Sequence, residues 1–201
     1  MRDQIWFMVL VLAVVGSLAG MALSAVKSVT DPVIEKRILE TKIKPSLDDF
    51  FGPLQPDNDV IADRIVLDLG KDSRGRKLRL SVFTAKKGGK VIGAALQTAG
   101  GGYGGDIQVL TAFDLVQEEI LGVKTLDQKE TQGLGARVAN DKEPFIQQFK
   151  GMKFSSGIKL RANGGEVDAI SGASISSTAY AEAVDRAAAL LEERRADIIG
   201  K

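Results

Sequence analysis

Residues 77–98, Lys-Leu-Arg-Leu-Ser-Val-Phe-Thr-Ala-Lys-Lys-Gly-Gly-Lys-Val-Ile-Gly-Ala-Ala-Leu-Gln-Thr, decide the fold. Leu78, Leu80 and Val82 alternate with Arg79, Ser81 and Phe83, the period of a half-buried strand. A second apolar run, Val91–Thr98, follows across Lys87-Gly88-Gly89-Lys90, and glycine pairs between such runs mark a hairpin. Working outward, Ile61–Leu69 precedes the hairpin as a strand, and Ile107–Phe113 and Ile120–Thr125 follow it. Pro144–Lys150 reads as a short helix and Ile175–Ile199 as a long one. Strands in succession with helices at the edges predict an α+β domain built on a mainly antiparallel sheet.

Upstream, Ile5–Val26 carries no charged residue over 22 positions, with Trp6 near its start. About 20 apolar residues span a bilayer as a helix, and an aromatic belongs at the interface. A cleaved signal peptide is the rival reading, since Ala22 and Ser24 are small. The run exceeds the roughly 7–15 residues of a signal core, and Arg2 alone precedes it, so a retained anchor is expected. The expected division is an anchor over residues 1–27 and one domain over 28–201. Thr30-Asp31-Pro32 is the expected start of a following helix that Pro45 interrupts. Charge leaves the orientation open: Arg2 is offset by Asp3, and Lys27, Lys36 and Arg37 follow the span.

The 201 residues include no Cys and no His. Disulfides, Cys/His zinc sites, thiolate-held clusters and His-dependent nucleophile pairs are therefore excluded. Lys plus Arg number 27 against 26 Asp plus Glu, and this neutrality argues against a nucleic-acid partner. The one local excess of positive charge, Lys71 to Lys90, reads as a solvated hairpin edge, with docking to an acidic partner or lipid surface as the alternative.

Eleven of the 22 glycines lie between Gly88 and Gly135. Gly100 to Gly105 formally satisfies a dinucleotide fingerprint, but a strand follows where that fold needs a helix. What remains is a tight loop presenting Tyr103. Glu130-Thr131-Gln132-Gly133-Leu134-Gly135 reads as a bent loop presenting Leu134 and free amides. Asp168-Ala169-Ile170-Ser171-Gly172-Ala173-Ser174-Ile175-Ser176 sets hydroxyls and a carboxylate just before a helix. Ser174, Ser176 or Ser177 could cap that helix, or a hydroxyl there could carry a phosphate ester at its positive end. Ser156-Gly157-Ile158-Lys159 also fits a Ser–Lys nucleophile pattern, without its companion motifs.

These three motifs, in this order after one apolar segment, resemble the covalent FMN-binding domain family. The resemblance implies FMN, one per chain, joined by a phosphoester to Ser174, with Asp168, Ser171, Gly172, Ala173 and Ser176 completing the motif. It also implies that amides near Ser176 and Ser177 help hold the phosphate. Glu130, Thr131, Gly133, Leu134 and Gly135 match a loop expected to pack on the ring, and Tyr103 is expected near its edge. Ser174 stands where Thr is usual, and Gln132 replaces the family's Pro. Order, length and anchor are similar to the G subunits of Rnf electron-transport complexes; the C subunits of sodium-pumping NADH:quinone reductases are similar but usually longer. The implied function is electron relay between partner subunits, from ferredoxin towards NAD and coupled to ion movement. No separate substrate site is then expected. The implied placement is a single-pass plasma-membrane protein with an extracytoplasmic (periplasmic) domain, matured by a flavin transferase. A cofactor-free anchored scaffold is the alternative.

Overall fold

The structure, a computed structural model, describes residues 2–71 and 77–200. The chain forms two units, divided between Lys42 and Ile43.

The first unit is dominated by α1, Arg2–Ile38. Among the described residues, the helix that begins here is long and apolar enough to cross a membrane, and its apolar stretch is exposed. The expected helix start at Thr30-Asp31-Pro32 is not a boundary: α1 runs through it. Thr30 turns its hydroxyl back to the Val26 carbonyl at 2.8 Å, and Lys27 pairs with Asp31 at 2.9 Å. Contacts one turn apart hold the helix where capping chemistry predicted a boundary.

In the second unit, α2 (Lys44–Phe51) accepts Pro45 in its first turn, where the fixed φ of proline suits a helix. Five strands follow in sequence order, all antiparallel: β1 Ile65–Lys71, β2 Lys77–Lys87, β3 Lys90–Gly101, β4 Asp106–Asp114 and β5 Glu119–Asp127. The β2–β3 turn has φ of 59° at Gly88 and 76° at Gly89, the left-handed pair that a two-residue hairpin requires. β1 begins later than Ile61 because the Asp59 carboxylate accepts from the Ile61 and Ala62 amides, closing a turn there. Within the basic stretch, Lys86 approaches Asp63 and Lys87 donates to the Leu54 carbonyl. Asp72, Arg74 and Arg76 lie outside the described residues.

The sheet has two covered faces. Leu67, Leu80, Val82, Leu96, Val109 and Phe113 belong to the main core, which α4 (Ser174–Glu193) completes. Phe83, Ala95, Leu110 and Ala112 lie outside that cluster and are equally buried. On the side of α2, Phe51 packs against Gly93 and Phe50 against Gly122. Two contacts seat α4 on β3: Thr98 donates to the Ala183 carbonyl at 2.7 Å, and Gly100 lies so close to Ala179 that a Cβ would overlap its carbonyl. The expected long final helix is broken at Arg194 (φ −106°, ψ 15°), after which α5 covers Arg195–Ile199. The short helix α3 spans Pro144–Gln147.

Candidate functional site

The site grows from the start of α4. Its N-cap position is Ala173, so no side chain caps the helix. The first intrahelical bond runs from the Ser177 amide to the Ala173 carbonyl at 2.9 Å. The amides of Ser174, Ile175 and Ser176 therefore have no intrahelical acceptor. The Ser177 amide, expected to help hold a phosphate, is committed within the helix.

The serines of this segment have distinct places. Ser177 is fully buried: its hydroxyl accepts from the Ile170 amide at 3.0 Å and donates to the Ala173 carbonyl at 2.9 Å. It closes the turn 170–173, in which Gly172 has φ 77°. Ser176 is buried and donates to a Glu130 carboxylate oxygen. Neither Ser176 nor Ser177 acts as a helix cap. Ser171 and Ser174 are exposed, and Ser174 is the first residue of α4.

Asp168 leads into this turn and is held from two sides. Gln148 bonds reciprocally with its backbone, accepting from its amide at 2.8 Å and donating to its carbonyl at 3.1 Å. Arg161 grips its carboxylate at 2.7 and 3.3 Å. The Arg161 hydrogen bond holds the Asp168 carboxyl below its ordinary value. Sequence reasoning missed Gln148 and Arg161, which carry no motif and meet Asp168 only through folding.

Glu130 joins the three motifs. Only 6% exposed, it accepts from the Gly104 amide at 2.7 Å, from the Tyr103 amide at 3.3 Å and from Ser176. Burial pushes its pKa up, but the bonds from Ser176, Gly104 and Tyr103 outweigh this and hold it below the ordinary value. The surrounding glycines are there for space: a Cβ on Gly102 would lie 2.6 Å from Oε1 of Glu130, and one on Gly135 2.7 Å from Oε2. Thr131 is exposed, and its carbonyl accepts from the Leu134 and Ala136 amides, folding the loop through Gly133. Leu134 is thereby held outward at 47% exposure, its Cδ2 facing the bare side of Gly172. Tyr103 is 74% exposed on the neighbouring loop.

The fold thus gathers Tyr103, the 130–135 loop and the start of α4 at one end of the sheet. A groove of about 250 Å³ lies along α4, between Thr178, Ala181, Glu182 and Asp185 and the segment Ile158–Leu160 with Asn163. Thr178 is one helical turn from Ser174. Lys159 lines this groove, while the Ser156 side chain of the Ser–Lys pattern lies outside what is described.

An exposed hydroxyl beside uncommitted amides at the positive end of a 20-residue helix suits a phosphate ester. Outward-held Leu134 and Tyr103 suit a planar aromatic ring. On these grounds the residues present fit FMN.

Comparison with known proteins points to the same cofactor. Residues 102–189 match the FMN-binding domain family. The G subunit of the ion-translocating oxidoreductase complex of Photorhabdus laumondii is 30% identical over 186 residues, 90% of this chain and 87% of that protein. Its counterpart from Shewanella oneidensis is 30% identical over 150 residues, 72% and 70% of the two chains. That from Cereibacter sphaeroides is 33% identical over 148 residues, so the chain spans 64% of that relative's length. A solved structure, the C subunit of the Na(+)-translocating NADH-quinone reductase of Parabacteroides distasonis, aligns with TM-score 0.49 and 22% identity, covering 66% of this chain and 75% of that one. The resemblance expected from the three motifs is borne out: the chain belongs to the family of ion-translocating oxidoreductase complex G subunits.

Proposed function

We propose that this chain is the flavin-carrying, electron-transferring subunit of a membrane-bound, ion-translocating redox complex of the ferredoxin:NAD oxidoreductase type, with FMN joined through its phosphate to Ser174. One observation carries this reading: of the three serines opening α4, Ser174 alone is exposed, while Ser176 and Ser177 are buried and hydrogen-bonded within the protein.

Residues 1–27 hold the membrane anchor, and the extracytoplasmic portion, residues 28–201, carries the flavin in the unit that begins at Ile43. When bound, FMN supplies reversible electron uptake and release, chemistry that a chain without Cys or His does not provide. Ser174 tethers the phosphate, and the amides of Ser174, Ile175 and Ser176 stabilise its charge. Leu134 and Tyr103 offer apolar surface to the ring. Asp168, Ser171, Gly172 and Ala173 form the turn that leaves the Ser174 oxygen open to a flavin transferase. Turnover then requires partner subunits as donor and acceptor, and no substrate pocket of the chain's own.

The test is co-expression with a flavin transferase, denaturation, and inspection of the polypeptide band for flavin fluorescence. Wild type is expected to retain the flavin and Ser174→Ala to lose it. A colourless wild-type band, or a Ser174→Ala band as bright as wild type, overturns the assignment.

A further inference from the structure

We propose that Glu130 is a potential-setting residue: a buried fixed negative charge beneath the two loops that face the flavin, which lowers the flavin's reduction potential. This rests on the flavin reading above and gives Glu130 an electrostatic role in place of a direct contact with the ring.

Three observations carry it. Glu130 is 6% exposed, and among the described residues its carboxylate has no ion-pair partner, only the donors of Tyr103, Gly104 and Ser176. Those bonds keep it ionised at neutral pH despite burial. The carboxylate also lies against the backbone of both loops, beside Gly102 and Gly135. Gly102 and Gly135 leave less than the width of a methyl group above Oε1 and Oε2, at 2.6 and 2.7 Å from where a Cβ would stand. Tyr103 and Leu134 are the neighbouring residues on those same two loops.

A reduced flavin carries more electron density than an oxidised one. A buried, unneutralised anion near it therefore disfavours reduction, and solvent screens the interaction poorly. The nearby charges differ in kind. Lys129 is exposed, with its aliphatic stem alongside Gly105, and Asp106 is exposed at the start of β4. Water reaches both, so each weighs less than Glu130.

The experiment uses the full chain, flavinylated by co-expression and held in detergent, with the flavin titrated spectroelectrochemically. Whatever flavin occupancy Glu130→Gln reaches, its flavin should titrate at a more positive potential. At a fixed poise the ratio of reduced to oxidised flavin should rise on the order of ten-fold, the scale of one buried unit charge about a residue layer away. Ser176→Ala, which deletes a donor and keeps the charge, should shift the potential less. A Glu130→Gln flavin at the wild-type potential overturns the proposal. If Glu130→Gln does not accumulate, Glu130→Ala, which removes the same charge, replaces it: a positive shift supports the proposal, and the wild-type potential overturns it. Wild-type protein without retained flavin defeats the functional reading, whereas flavin retained at an unchanged potential defeats only the role of Glu130.

Discussion

Arg161 Nε donates to Asp168 Oδ1 at 2.7 Å while its Nη2 donates to Oδ2 at 3.3 Å, a forked grip on the residue that leads into the attachment turn. The hydrogen bond is the main cause of the lowered Asp168 pKa, and the same bond raises that of Arg161. A carboxyl whose pKa is lowered in the folded state adds stability above its ordinary value of 3.8. That stability is lost as pH falls through the lower folded value. Both side chains are about two-thirds exposed, so the pair is screened by salt and contributes little to global stability.

Arg161→Ala should therefore return the Asp168 titration to the ordinary carboxylate range with little change in Tm. Carboxyl-detected NMR across pH 2–6, about the span in which carboxylates titrate, reads this directly. Amide exchange at Asp168 and Ala169 should quicken, because Gln148 alone then holds Asp168.

Ser177 and Ser174 should separate stability from attachment. Ser177→Ala leaves the buried Ile170 amide without an acceptor and should cost about 1–3 kcal/mol. Ser174→Ala should leave stability near wild type, because the side chain it removes is exposed. Ser174→Thr keeps a hydroxyl at the same position and should retain flavin through denaturation. Urea unfolding paired with gel fluorescence distinguishes the three variants.

Gly100→Ala tests the seating of α4. The added methyl would meet the Ala179 carbonyl, which is backbone and cannot rotate away. Overpacking of this kind costs about 1–3 kcal/mol. Unfolding should show that loss, with increased exchange in α4 around Ala179.

Tyr180 tests the core. It is fully buried among Phe145 and Phe149, with ring centroids 5.6 Å from each. Burial pushes its phenol well above the ordinary value. Its hydroxyl lies towards Thr125, but that residue donates to the Val138 carbonyl at 2.5 Å, and the Tyr180 oxygen makes no hydrogen bond of good geometry. Tyr180→Phe removes that unsatisfied group and should be neutral or stabilising by up to about 1 kcal/mol. Tyr180→Ala should cost about 3–5 kcal/mol through the cavity it leaves. Denaturant melts of the two variants give both figures.

Local pattern carried much of the architecture. Alternation at Leu78, Leu80 and Val82 reports a strand face, and Gly88-Gly89 reports the turn, because both depend on neighbours a few bonds away. Two of the boundaries that differ lie where a side chain competes with the backbone. Asp59 closes a turn over Ile61 and Ala62, and Thr30 bonds back into α1.

Within the site, the three motifs were legible one by one, but the reason they form one site was not. Residue types and spacing alone determined that redox chemistry here needs a borrowed group, that one segment is long and apolar enough to span a bilayer, and that hydroxyls cluster before the last long helix. Only the tertiary structure decided which hydroxyl is free. Packing of α4 on β3 turns Ser176 inward to Glu130, 46 positions away, and Ser177 inward to Ile170, leaving Ser174 outside. Helical periodicity assigns residues to faces, but which face is covered, and by what, depends on distant segments whose closeness no local spacing encodes.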